Sequence, residues 1–362
     1  MSCNLFDFKE KIDDKELKKC AKIIEKGGVG IFPTETVYGI GANALDEMAV
    51  NKIFAAKKRP SDNPLIVHIS DMNMLNLACD VSKLSNIQKK LIDKFFPGPF
   101  TIILPKSKNI PYNVTAGLET VGVRMPDNVI ANRLIKFATV PIAAPSANAS
   151  GKPSGTQVED IYDELSSSVD FIIDGGRTNI GIESTVVKVD NDKVIILRPG
   201  KITVEDLESV VGSGNVLLAP QLFVAPKPNE KVESPGMKHR HYAPKCKCVL
   251  VYSDKEKLQI DEVNKLIDDN RTKYSKICIL GFNEHIEAFK NVNSKKKNIE
   301  YISLGSINNY FEISKNIFTA LRKLDRISCD FAIIEAVKKQ GIGIGIMNRL
   351  IRACEYNEII VK

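Results

Sequence analysis

Apolar residues recur at helical spacing through Leu17, Cys20, Ala21 and Ile24, behind the acids Asp13 and Asp14 and ahead of Gly27-Gly28. An acidic start and a glycine stop frame an amphipathic helix over this stretch. VGIFPTETVYGIGA (29–42) reads as a strand, a loop containing Pro33, and then a turn rich in glycine. Residues 46–58 predict a second helix with Asp46 as its N-cap. LIVHIS (65–70) has the pattern of a short strand, and 83–95 that of another amphipathic helix. TIILP (101–105), TVGVRMP (120–126), VPIAAPSAN (140–148), FIIDGG (171–176), STVVKVD (184–190) and KVIILRPG (193–200) read as buried strands. The last two meet across Asn191-Asp192, a dipeptide suited to a hairpin turn.

This alternation predicts an α/β layer architecture around a mixed sheet. The periodicity ends near 212. Residues 212–247 carry Pro220, Pro226, Pro228, Pro235 and Pro244 with few apolar runs, the composition of a linker or a functional lid. Beyond it, CKCVLVYS, a helix at 255–268, KICILGF, IEYISLG, a helix near 308–324 and DFAIIEAV restore the strand–helix rhythm of a small doubly wound domain. The expected parts are an N-terminal extension (1–14), a first domain (15–211), the Pro-rich segment (212–247) and a C-terminal α/β domain (248–362).

A chain of 362 residues fits two domains. With 43% hydrophobic and 26% charged residues it is neither disordered nor collagen-like. No window approaches the ~20 apolar residues of a membrane span, and the N-terminus has no apolar signal region. The eight cysteines are mostly isolated in apolar runs, so reduced thiols and a cytoplasmic location are expected. Charge is more informative in its placement than in its size. Residues 51–150 hold 13 Lys and Arg against 6 Asp and Glu, which equals the +7 surplus of the whole chain. A cationic block of this kind fits an anionic partner such as a nucleotide or RNA.

Several familiar chemistries find little support. No GxxxxGK[ST] phosphate loop is present. GIGIG (341–345) lies too near the chain end to open a dinucleotide unit, which leaves tight backbone packing as its reading. His239, His241, Cys246 and Cys248 form H-x-H-x4-C-x-C, but one-residue gaps suit a structural zinc poorly, and the cysteines also fit the inner face of a strand. None of His68, His239, His241 and His285 accompanies a nucleophile-elbow sequence.

A stronger signal comes from short polar motifs scattered over 33–200. PTETVYG supplies hydroxyls in a glycine-closed loop. AAKKRPSDNPLIVH sets Lys57 and Arg59 at a helix end, with Asn63 and His68 behind them. Arg124 falls within a buried strand, where an unpaired guanidinium costs several kcal/mol. APSANASGKPSG gathers Ser146, Asn148, Ser150 and Ser154 in a loop of small residues whose amides can face an anion. GIESTVV adds Ser184 and Thr185, and LRPG adds Arg198. Together these place cations and hydroxyls at strand ends, where open α/β sheets bind ligands.

PTETVYG, KKR with PSDNP, PGPFT, VGVRMP, APSANASG, IESTVV, LRPG and HRHYAP closely resemble the threonylcarbamoyl-AMP synthase (YrdC-like) family in its long two-domain form. The resemblance implies a YrdC-like twisted mixed sheet with helices around an open concave site, plus a smaller Rossmann-like α/β domain. It implies a reaction of L-threonine, bicarbonate and ATP that gives threonylcarbamoyl-adenylate and pyrophosphate. A separate tRNA threonylcarbamoyl transferase then acts at position 37 of tRNAs reading ANN codons, and a weak direct tRNA contact is a further expectation. Carried over by motif, the implied threonine site is Thr36, His68, Arg124, Ala144 through its backbone, and Ser184. The implied ATP site is Arg59, Asn63, Thr120, Ser146, Asn148, Ser154, Arg198 and Tyr242, with Lys57 and Arg59 stabilising phosphate charge. Mg2+ is expected through the ATP phosphates, with no protein side chain as metal ligand, and no general base stands out. Two other readings stay open: a carbamoyl-adenylating maturation enzyme, and a non-catalytic RNA-binding module. SPGMKHRHYAP, with Lys238, Arg240 and Tyr242, is expected to act as a lid.

Overall fold

The structure is a computed structural model that describes residues 3–224, 241–292 and 298–362. These residues gather into two compact units, one formed by 3–150 and 154–222, the other by 151–153, 223–224 and 241–362. Of the proposed lid, the part with Lys238, His239 and Arg240 lies outside the described residues, whereas Tyr242 is described.

In the first unit eleven strands form one mixed sheet: β1 (Asn4–Asp7), β2 (Gly30–Phe32), β3 (Gly39–Asn43), β4 (Ile66–His68), β5 (Phe100–Pro105), β6 (Thr120–Arg124), β7 (Ile142–Ala143), β8 (Phe171–Asp174), β9 (Thr185–Asp190), β10 (Lys193–Arg198) and β11 (Val216–Leu218). Their order is β1-β8-β2-β3-β7-β4-β6-β5-β9-β10-β11. Local chemistry explains the elements. The Asp13 carboxylate accepts from Lys15 N and Glu16 N and starts the helix Asp14–Glu25, whose Leu17, Cys20, Ala21 and Ile24 are all buried as their spacing predicts. Asp46 caps Glu47–Lys57 in the same way, so Lys57 is the last residue of that helix. Asn191 and Asp192 both take positive φ, as a tight turn between β9 and β10 requires. Ile31, Val67, Ile102, Val123 and Ile172 carry the apolar core from strand to strand.

The structure corrects the sequence reading in four places. Asn4–Asp7 are no extension: they pair with β8 as the edge strand β1. The glycine-rich stretch at 39–43 is strand β3, not a turn. A Cβ on Gly41 would lie 2.6 Å from Ile142 Cγ2 and 2.8 Å from Phe32 Cε1, so glycine here answers close packing. The sheet does not end at 211, because β11 pairs in parallel with β10. The run 140–148 contributes only the two residues of β7; the remainder is loop.

The second unit is a five-stranded parallel sheet: β12 (Lys247–Ser253), β13 (Ile277–Phe282), β14 (Ile299–Gly305), β15 (Phe331–Glu335) and β16 (Glu358–Val361), in the order β14-β13-β15-β12-β16. The chain moves one way along the sheet from β12 to β14 and the other way from β14 to β16. Right-handed crossovers then send the first two helices to one face and the last two to the other. The helices Tyr310–Arg326 and Ile342–Ala353 do pack together. GIGIG sits in the second of these, where a Cβ on Gly343 would lie 2.3 Å from the Lys338 carbonyl oxygen. β16 carries no signal that the periodicity reading used.

Candidate active site

Two polar clusters stand at opposite ends of β4 and β6 in the first unit. The strands run parallel with Ile66 opposite Gly122 and His68 opposite Arg124. Side chains alternate along a strand, so Thr120, Gly122 and Arg124 share one face, and the four steps from Thr120 to Arg124 span about 13 Å of strand. Gly122 leaves this face without a side chain; a Cβ there would meet Thr101, Ile103 and Ile66, which form an apolar floor between the clusters.

At the carboxyl ends of β4 and β6, Arg124 is buried and reaches into the PTETVYG loop. Its Nη1 donates to Thr36 Oγ1 at 2.9 Å, and Nη2 lies 2.6 Å from Glu35 Oε1. Arg124 Nε has no hydrogen-bond partner among the described residues. His68 is buried beside it, with Nδ1 3.2 Å from the Ile66 carbonyl oxygen. Burial first, and then the Arg124 charge, push its pKa down to about 3, so the ring is neutral near pH 7. Across the strand ends, Ser184 Oγ lies 2.8 Å from Thr101 Oγ1 and accepts from Arg198 Nη2 at 3.1 Å, while Arg198 Nε donates to the Ser184 carbonyl. His68, Arg124, Ser184 and Arg198 therefore belong to one end, and Arg124 reaches from it to Thr36, whose loop leads into the Gly39–Ser146 bridge.

The opposite end collects Lys57, Arg59, Asn63, Thr120, Ser146 and Asn148. Lys57 Nζ donates to the carbonyl oxygens of Ser146 and Asn148 and to Asn148 Oδ1. Ser146 Oγ donates to the same Oδ1 at 2.6 Å. One buried ammonium thus shapes the whole 146–148 turn. Arg59 Nη2 donates to the Pro64 carbonyl at 3.1 Å, which folds its guanidinium back over the start of β4 beside buried Asn63. Thr120 opens β6. Ala144 N bonds the Ile66 carbonyl, which ties the loop after β7 to β4 between the two ends. Ser154 Oγ donates to Glu183 Oε1 at 2.7 Å. Tyr242 belongs to the second unit, where its ring stacks on Phe318 at 5.1 Å. Cys246 and Cys248 enter β12 with their thiols 3.9 Å apart.

Lys57, Arg59, Arg124 and Arg198 are all at most 8% exposed. Four buried cations favour an anionic ligand with several charges over a nucleic-acid backbone tracked along the surface.

Residues 22–200 match the family model described as "Telomere recombination", and 202–354 match "Threonylcarbamoyl-AMP synthase, C-terminal domain". The threonylcarbamoyl-AMP synthase of Pyrococcus abyssi is 38% identical over 357 residues, 99% of either chain, and that of Bacillus subtilis 40% identical over 345 residues, 94% of this chain and 93% of the relative. The chain belongs to the threonylcarbamoyl-AMP synthase family. A crystal structure of P. abyssi Sua5 complexed with L-threonine has the same fold, with a TM-score of 0.90 at 38% identity over 99% of each chain.

Within this synthase-family chain, sequence reasoning passed over Glu35, Thr101 and Glu183, the residues that hold Arg124, Ser184 and Ser154. Glu35 stands next to Thr36 and Glu183 next to Ser184, so adjacency to a chosen residue was the available signal. Thr101 has none, because only the register of β5 against β9 brings it to Ser184. No helix among the described residues is long and apolar enough to cross a membrane.

Proposed function

We propose that the chain is a threonylcarbamoyl-AMP synthase that takes L-threonine at the Arg124 end of the face and ATP along the remainder. The observation that carries the threonine site is the Glu35–Arg124–Thr36 group. A guanidinium held at 2.9 Å by one hydroxyl keeps Nε for a carboxylate oxygen, and the adjacent Glu35 carboxylate suits an ammonium. A zwitterion needs this pairing of opposite charges. Thr36, neutral His68, Ser184 and the Ala144 backbone supply short-range polar contacts for its hydroxyl and carboxylate.

ATP is assigned to Arg59, Asn63, Thr120, Ser146, Asn148, Ser154 and Arg198. Lys57 acts chiefly by shaping the 146–148 turn, and its charge, with that of Arg59, favours phosphate nearby. The chemistry needs no protein nucleophile. Once the bound ammonium has given a proton to solvent, the neutral threonine nitrogen attacks the bicarbonate carbon, an N–C bond forms and water leaves. A carbamate oxygen then attacks the α-phosphorus, and the bond to the β-phosphate breaks with release of pyrophosphate. The protein's part is to hold three anions in line and to offset charge moving onto the leaving group. Mg2+ is assigned to the nucleotide it arrives with, since it commonly keeps its waters and is held through substrate phosphates. The adenylate passes to a separate transferase acting on tRNA, in a cytoplasmic setting. Pyrophosphate release from ATP that requires both threonine and bicarbonate tests this reading; release independent of threonine contradicts it.

A further inference from the structure

The second unit has a cleft of its own, of about 620 Å3, over the carboxyl ends of β12, β13, β14 and β15. Successive neighbours in the order β14-β13-β15-β12 send their chains to opposite faces of the sheet, and such reversals open crevices that hold ligands.

The base of the cleft is polar where a core would be apolar. Glu335, at the end of the central strand β15, is fully buried. It accepts from Phe282 N at 3.0 Å and Gln259 Nε2 at 3.2 Å, and lies 2.6 Å from His285 Nδ1. Gly281 makes room for it, since a Cβ there would stand 2.6 Å from Glu335 Oε2. His285 is 1% exposed, yet its Nε2 makes no hydrogen bond. His285 is among the residues lining the cleft, and its Nε2 stands 3.0 Å from Glu256 Oε1, out of line for a bond. Burial opposes a charge on the ring, but the Glu335 hydrogen bond and the charges of Glu335 and Glu256 outweigh it and raise the pKa. A packed hydrophobic base would be cheaper to bury than this group, so its retention asks for a use.

The walls indicate the ligand. Asp254, Glu256 and Glu284 line the cleft against Lys338 and His285, with Glu335 behind, so the field is negative. Glu284 is kept ionised chiefly by the Ser306 hydroxyl, 2.5 Å away. Glu256 is 62% exposed at the side chain and can turn to a ligand. Tyr252 and Tyr310 add two aromatic rings. Carboxylates beside aromatic faces are the surroundings that attract organic ammonium ions, and they repel phosphates. We propose that this cleft is a second binding site, separate in its residues from the threonine and ATP contacts, for a small organic polyammonium ion.

Isothermal titration of the full chain with spermidine tests the site, with adenosine and pyrophosphate as the neutral and anionic comparisons. The expected result is saturable one-to-one binding of spermidine, weakened at least tenfold in Asp254→Asn/Glu256→Gln. These positions lie at the cleft surface, and an unchanged melting temperature would show the variant folded. Threonine-dependent pyrophosphate release should persist in that variant. Absence of saturable spermidine binding, binding that the double variant leaves unchanged, or binding of adenosine or pyrophosphate in its place would overturn the assignment.

Discussion

Arg124 Nη2 lies 2.6 Å from Glu35 Oε1, with both side chains buried between the loop after β2 and the end of β6. A buried pair of this kind adds little stability over an apolar pair of similar volume, so its value lies in the opposite charges it presents. Those charges match the two ends of an amino acid.

Arg124→Lys should raise the KM for threonine far more than the KM for ATP. A charge-assisted guanidinium contact is lost, so the threonine term should change by about 2–5 kcal/mol. Steady-state kinetics with each substrate varied in turn checks this, and an equal rise in both values would move Arg124 to the phosphates.

Glu35→Gln keeps the shape of the loop and removes the charge facing the substrate ammonium. Threonine affinity should fall roughly tenfold or more with ATP affinity little changed, as equilibrium binding of labelled threonine would report.

Lys57→Met should act through the 146–148 turn. Removing the ammonium takes the Lys57 donor from the carbonyl oxygens of half-buried Ser146 and buried Asn148, at a cost of about 1.5–3 kcal/mol. Both the urea midpoint and ATP affinity should fall. A variant as stable as the parent would mean that the turn holds itself.

The legibility of this site follows from which interactions are local. Helix caps at Asp13 and Asp46, the turn at Asn191-Asp192 and the buried stripes are set within a few residues, and the sequence displays them. β1, β11 and β16 are short edge strands stabilised by partners far along the chain, such as Phe171 for Asn4 and Leu250 for Glu358. Three or four residues carry no period to read. The same holds within the site. Arg124, Ser184 and Arg198 stand out as buried polar residues in apolar runs, whereas Thr101 looks like any strand threonine until β5 and β9 are in register. The split of the constellation into two ends of β4 and β6 needs the register of His68 opposite Arg124, which no linear motif contains.

His68 gives a pH signature. In the unfolded chain its ring takes up a proton below about pH 6.5, whereas in the folded protein it does so only near 3. Between those values the unfolded state binds more protons, so stability rises with pH through this window and levels off above it. Urea denaturation from pH 4 to 8 should therefore show a steeper acid limb for the parent than for His68→Gln, with the curves parallel above pH 7.

Threonine and serine differ by one methyl, which a pocket can favour by only about 1–3 kcal/mol. Serine should be a slow but measurable substrate, and valine, without the hydroxyl, should be rejected far more strongly. Comparable kcat/KM for valine and threonine would remove the hydroxyl contacts from the account.

The central claim is that one face joins threonine, bicarbonate and ATP. Carbon-labelled bicarbonate with threonine and ATP, quenched and resolved by mass spectrometry, follows all three into one molecule. The account predicts a labelled threonylcarbamoyl-adenylate formed in equal amount to pyrophosphate, present only when threonine is supplied and lost in Arg124→Ala. Pyrophosphate without a labelled adenylate, or an adenylate that forms without threonine, would contradict it.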